Sequence, residues 1–133
     1  MAARVAVLAV AVLVLAWLAV NLRGYDKFDD GQRLALAPGA TDASARQAVQ
    51  LLQDARFLNP DTRPMLAKGS LLVARGGAGV REGRALLEEA VRKEPDNVVA
   101  WAVLASATRN LDPQRSREAR ARATELSPPV PKQ

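Results

Sequence analysis

Leu58-Asn59-Pro60-Asp61, Lys93-Glu94-Pro95-Asp96 and Leu126-Ser127-Pro128 set a proline in the same surroundings three times along the chain. Each proline closes a stretch with helical periodicity, as expected of a ring that has no N–H to donate and cannot continue a helix. The intervals are 35 and 33 residues. Self-similarity at about 34 residues marks a stack of helix pairs. Such a stack points to binding rather than catalysis.

The helices between the prolines can be read from their apolar spacing. In Val80 to Lys93, the residues Val80, Gly83, Leu86, Leu87, Ala90 and Val91 share one arc, while Arg84, Glu88, Glu89, Arg92 and Lys93 point away. Glu88 with Arg92 and Glu89 with Lys93 are i,i+4 pairs in the favoured order. A second helix is predicted over Asp42 to Leu58, capped by Thr41 or Asp42, with Ala45, Ala48, Val49, Leu51, Leu52, Ala55 and Leu58 as its buried side. Arg63 to Arg75 and Asn97 to Asn110 supply two more. Pro113 to Leu126 supplies the last, with a thin strip of Ala119, Ala123 and Leu126. No stretch alternates with period two for long enough to predict a strand, so the fold class is all-α.

In the segment Val98-Val99-Ala100-Trp101-Ala102-Val103-Leu104-Ala105, a large aromatic is followed by an aliphatic three residues on and then by a small residue. This resembles the first helix of a tetratricopeptide repeat, where W-x-x-L-G packs the two helices of a repeat together. The same offsets one repeat earlier fall on Leu66, Gly69, Ser70 and Val73. The small and bulky second-helix positions fall on Ala48, Leu52 and Ala55, on Gly83, Leu87 and Ala90, and in the last copy on Ser116, Arg120 and Ala123. Arg120 and Thr108 depart from the family pattern. The resemblance spans Ala45 to Pro128, with Pro95, Trp101, Leu104 and Ala105 as its specific matches. It implies a short solenoid of about five helices holding two full repeats and the trailing half of a first. About three repeats normally make a continuous core, so we expect marginal stability and an open first face, to be covered by Arg23 to Gly39 or by a second copy of the protein.

The N-terminus carries a different signal. Val5 to Val20 contains only Ala, Val, Leu and Trp17, and the uncharged run continues through Asn21 to Leu22. Eighteen residues at a helical rise of about 1.5 Å reach ~27 Å, close to the hydrocarbon thickness of a bilayer. Trp17 and Tyr25, with Arg23 and Lys27, suit the point where a helix leaves the membrane. The competing reading is a cleaved secretory signal, since Met1 to Arg4 makes a short positive n-region. The apolar run exceeds a usual h-region and no A-x-A site follows it, which favours an anchor. Arg4 and the N-terminal amine favour a translocated domain, whereas Arg23, Lys27 and Arg33 pull the other way. We expect a single-pass protein with its repeats on the extracytoplasmic side.

The expected organisation is therefore a membrane anchor over residues 1–22, a linker over 23–40 with one helical turn at most, a repeat domain over 41–127 and a proline-rich extended tail over 128–133. Composition limits the chemistry. The chain has no His and no Cys, so a Ser-His-Asp triad, a Cys-His pair and the usual zinc sites cannot be assembled. Asp29 with Asp30 and Glu88 with Glu89 read as solvated acids. Arg75-Gly76-Gly77-Ala78-Gly79 follows a helix and has Glu82 where a phosphate-binding G-x-G-x-x-G needs its last glycine, so it reads as a turn between two helices. We expect no enzyme activity, no cofactor and no metal.

Beyond the span the chain carries 18 basic and 14 acidic residues, a net +4. Arg109, Arg115, Arg117, Arg120 and Arg122 gather near the last helix, without interleaved aromatics for base stacking, so nucleic acid is not the expected partner. A solvated face with Glu118 paired to Arg122 is the plainer account. The family resemblance implies a protein-binding groove lined by first helices, here by Lys68, Leu71 and Arg75 from one and Ala102, Ser106, Arg109 and Asn110 from the next. Three cations around a small floor suit an extended acidic segment or a free C-terminal carboxylate. Membrane-tethered bacterial proteins of this type commonly assist envelope assembly, including cytochrome maturation, secretion and polysaccharide export. The alternative is an accessory subunit that only stabilises a membrane enzyme or polymerase, with no peptide ligand of its own.

If Val5 to Leu22 spans a bilayer, the protein will sediment with membranes and resist carbonate extraction. A soluble product beginning after about residue 19 would identify the segment as a cleaved signal.

Overall fold

A computed structural model describes residues 2–58 and 61–127, with side chains from Val7 to Phe57 and from Asp61 to Ser127. Pro60 and Pro128, the Leu58 side chain and the tail 128–133 lie outside the described residues. Six α-helices make up the described chain, and no strand occurs among the described residues: α1 (Ala2–Leu36), α2 (Asp42–Leu58), α3 (Arg63–Arg75), α4 (Gly79–Lys93), α5 (Val98–Thr108) and α6 (Pro113–Leu126). They divide into two compact units, Met1–Pro60 and Asp61–Gln133.

In the first unit α1 is a continuous helix of 35 residues. Every side chain from Val7 to Val20 is exposed, and among the described residues α1 alone is long and apolar enough to cross a membrane. At the end of the apolar run the Asn21 amide donates to the Trp17 carbonyl at 2.8 Å, so this polar group is satisfied by its own helix.

The linker expected over residues 23–40 is not a loop. It is helical as far as Leu36 and packs along α2. Glycine and aspartate are weak helix formers, but adding residues to an existing helix is far cheaper than nucleating one, and tertiary packing overrides propensity. The packing is close. Gly24 and Gly31 are buried, and a Cβ on Gly31 would lie 3.0 Å from Leu52 Cγ and 3.2 Å from Leu51 Cβ. Across the seam, Ala45, Ala48, Leu52 and Ala55 are 0–2% exposed. Lys27 donates to Asp54 at 2.7 Å beside it. Gly39, at φ 72°, turns the chain, and the Thr41 hydroxyl caps α2 by accepting the Ser44 N–H at 3.2 Å. The face of α2 that the sequence leaves open is thus covered by the second half of α1.

The second unit pairs α3 with α4 and α5 with α6, while α5 also packs on α3 and α4. Its core is Met65, Leu66, Leu86, Leu87, Ala90, Val91, Ala100, Leu104, Ala105 and Ala119. The small positions allow the helices to approach. A Cβ on Gly83 would sit 2.7 Å from the Gly69 carbonyl oxygen, and one on Gly69 would sit 2.9 Å from Leu87 Cδ2. Gly76 and Gly77, at φ 73° and 64°, make the turn between α3 and α4. Asn97 and Asp112 cap α5 and α6 through their side-chain oxygens. Thr108 is fully buried and donates its hydroxyl to the Leu104 carbonyl at 2.7 Å, while Ser116 donates to the Ala105 carbonyl at 2.6 Å.

Trp101 is not at the centre of this core. It is partly buried at its edge, with the indole N–H donating to the Pro95 carbonyl at 2.8 Å. Leu104 and Leu87, both fully buried, occupy the centre.

Leu87→Ala should cost about 2–5 kcal/mol through the cavity left behind. Gly83→Ala separates two effects. Helix propensity alone predicts a gain of about 1 kcal/mol, whereas the contact with the Gly69 carbonyl predicts a net loss, with overpacking costing about 1–3 kcal/mol. A lower melting temperature for Gly83→Ala is the expected outcome.

Candidate functional site

The first helices of the two hairpins in the second unit, α3 and α5, enclose a groove of about 550 Å³ lined by Ser70, Val73, Ala74, Val103, Ser106, Ala107, Asn110 and Leu111. Its lining combines apolar side chains with two hydroxyls and one amide. A hollow of about 570 Å³, lined by Gly77, Ala78, Val80, Arg81, Arg84 and Leu111, shares Leu111 with it. On the other side of α5, a smaller groove of about 240 Å³ runs toward α6 and is lined in part by Ala102, Ser106, Arg109, Arg120 and Thr124.

The residues expected to line a groove are therefore divided. Ser106 and Asn110 line the α3–α5 groove, whereas Ala102, Ser106 and Arg109 line the α5–α6 groove. Lys68, Leu71 and Arg75 line none of these three. At about 100° per residue they lie roughly 140° around α3 from Ser70, Val73 and Ala74. Lys68 does not serve as an exposed cation. It is 6% exposed and donates to Glu82 of α4 at 2.6 Å, which neutralises a charge that would be costly to bury alone. Arg75, Ala102, Ser106, Arg109 and Asn110 are exposed and Leu71 is half-buried.

Val73, Ala74, Val103, Ala107 and Leu111 line the groove without having been expected there from the sequence, where Val73 was read as a packing position. The close approach of Gly69 to Gly83 turns one face of α3 toward α4 and so determines which flank is left for α5. In α5, Val98–Thr108, nearly every side chain is apolar or small. Its periodicity therefore offered no orientation.

Beside these grooves an ion-pair network ties α4 to α6. The Arg115 guanidinium donates to both oxygens of Glu88, at 2.9 and 2.6 Å, and lies 5.5 Å from the centroid of the Trp101 ring. This bidentate arrangement replaces the expected pairing of Glu88 with Arg92. Glu89 does pair with Lys93, at 3.5 Å. Arg84 donates to Asp112 at 2.7 Å, and Asp112 also accepts the Arg115 N–H at 3.0 Å. Arg122 pairs with Glu125 and Asp96 rather than with Glu118, whose carboxylate meets Arg115 instead. Two of the five arginines near the last helix are thus engaged in structural pairs, while Arg109, Arg117 and Arg120 are exposed.

Hydrogen bonds from Arg115, against a partial loss of hydration, hold the Glu88 carboxyl below the usual glutamate range. Hydrogen bonds from the Arg115 backbone and the Arg84 side chain lower Asp112 in the same way. Comparison with known protein families, characterised proteins and solved structures gives no match for this chain.

A carboxylate whose pKa is depressed by folding stabilises the protein above its unfolded-state pKa, and that contribution is lost as pH falls through the folded-state value. Glu88→Gln should therefore lower stability at neutral pH by about 1 kcal/mol, the scale of a half-buried bidentate pair. It should also weaken the decline of stability on acidification below the ordinary glutamate range. Melting curves of both proteins from neutral to acid pH check this.

Proposed function

We propose that this chain is a membrane-tethered protein-interaction module. Its α3–α5 groove receives a segment of a partner protein, with α1 holding the module at the membrane. The observation that carries this reading is the groove itself, open between the first helices of two successive hairpins and lined by small and apolar side chains. Its resemblance to a tetratricopeptide repeat adds support, because that family uses the corresponding face for peptides. The occupant that suits the lining places small or apolar side chains on Val73, Val103 and Ala107. Its main chain meets Ser70, Ser106 and Asn110, and an acidic residue turns toward Arg81 at the Leu111 end. Scaffolding of envelope assembly on the extracytoplasmic side is the setting we assign. The module is not an enzyme.

Filling the groove tests this without disturbing the core. Ala74 and Ser106 are exposed, so the double variant Ala74→Trp/Ser106→Trp should keep its helicity and melting temperature. The expected result is loss of the partner that co-purifies with the wild-type protein from solubilised membranes. Undiminished recovery would move the interaction off this groove and favour the accessory-subunit alternative.

A further inference from the structure

The antiparallel seam of the first unit brings the end of α2 back to the start of the water-exposed half of α1. The Lys27–Asp54 pair sets the register, and Gly31 against Leu51 and Leu52 agrees with it. Phe57 lies three residues beyond Asp54, so it falls level with about Gly24 on α1. Leu22, the end of the uncharged run, is two residues further along, or ~3 Å at a helical rise of about 1.5 Å per residue. The polar layer of a bilayer extends about 5–7 Å on each side of the hydrocarbon. With Leu22 at the hydrocarbon edge, Phe57 falls within that layer.

The exposures at this level match such a layer. Phe57 is 88% exposed, more than any other large apolar side chain among the described residues, and Tyr25 on α1 is 43% exposed. Arg23 is also exposed at the same height. Aromatic rings beside basic side chains are the composition found where proteins meet phospholipid headgroups. The opposite end of α2 differs. Asp42, Ala43 and Ser44 begin the helix some 14 residues away without a large apolar or aromatic group, and the exposed apolar side chain near that level is Leu36 of α1, with no aromatic ring beside it.

We propose that the C-terminal end of α2 rests in the headgroup layer of the bilayer that α1 spans, with Phe57 as its apolar contact and phospholipid as the partner. The inference rests on the reading of α1 as a membrane span. It makes the first unit a two-point membrane contact, in which a spanning helix is braced by the end of its antiparallel neighbour.

The chain has no cysteine, so single nitroxide labels can be placed on the full-length protein in phosphatidylcholine–phosphatidylglycerol vesicles. Leu13→Cys reports the span, Phe57→Cys the end of α2, and Ala43→Cys its far end. All three positions are exposed, so no core is disturbed. The readout is collision with oxygen, which concentrates in the bilayer, against collision with a water-soluble nickel complex. We expect the oxygen-to-nickel ratio at residue 57 to exceed that at residue 43 severalfold, and to fall below that at residue 13. A ratio at 57 equal to that at 43, with 13 still protected from nickel, overturns the headgroup contact and leaves the span intact. Free access of nickel to residue 13 overturns both.

Discussion

The contact between Gly69 and Gly83 is the constraint on which the second unit depends. Each glycine removes a side chain where the backbones of α3 and α4 approach, and the space left for a Cβ is only 2.7 Å from a carbonyl oxygen at Gly83. A helix interior normally disfavours glycine by about 1 kcal/mol relative to alanine. Here the close approach brings Leu87 into full burial and lets Leu72 and Val73 pack against the core. The same contact orients α3. With one of its faces on α4, Ser70, Val73 and Ala74 are turned toward α5 and Lys68 is turned to Glu82.

Polar interactions supply order around this apolar centre. Arg115 meets Glu88 through two hydrogen bonds, stacks its charge near Trp101 and sits one turn inside a helix capped by Asp112, which is itself held by Arg84. Exposed ion pairs on their own contribute little. A bidentate, half-buried guanidinium shared among three helices fixes their rotation as well as their separation. The arginines near the last helix consequently divide between structural and solvent-facing roles, and total charge says little about either.

In the first unit the comparable device is a seam of small residues. Gly24 and Gly31 on α1 and Ala45, Ala48 and Ala55 on α2 are all buried, and Gly31 lies directly against Leu51 and Leu52. The helix that is apolar and exposed at its N-terminal end is therefore braced at its other end. A flexible tether would let the rest of the chain move freely relative to α1; a continuous helix with a packed partner sets the position of α2 along it.

Local chemistry in the sequence was enough to place α2 to α6. Thr41 as a cap, Pro113 at a helix start and the glycines after Arg75 marked helix ends, and the apolar arc of Val80 to Val91 marked one buried face. The long apolar run at the N-terminus was equally plain, because hydrophobicity over a bilayer's length is a property of composition. Tertiary structure decided what composition left ambiguous. Asp29, Asp30 and Gly31 read as loop until the neighbouring α2 stabilised them as helix, since packing outweighs weak propensity. The rotation of α5, apolar on nearly every side, followed from contacts with α3, α4 and α6. The face of α3 that lines a groove depended on a backbone approach between two glycines that no periodicity encodes, because such a contact belongs to a pair of helices and not to either one.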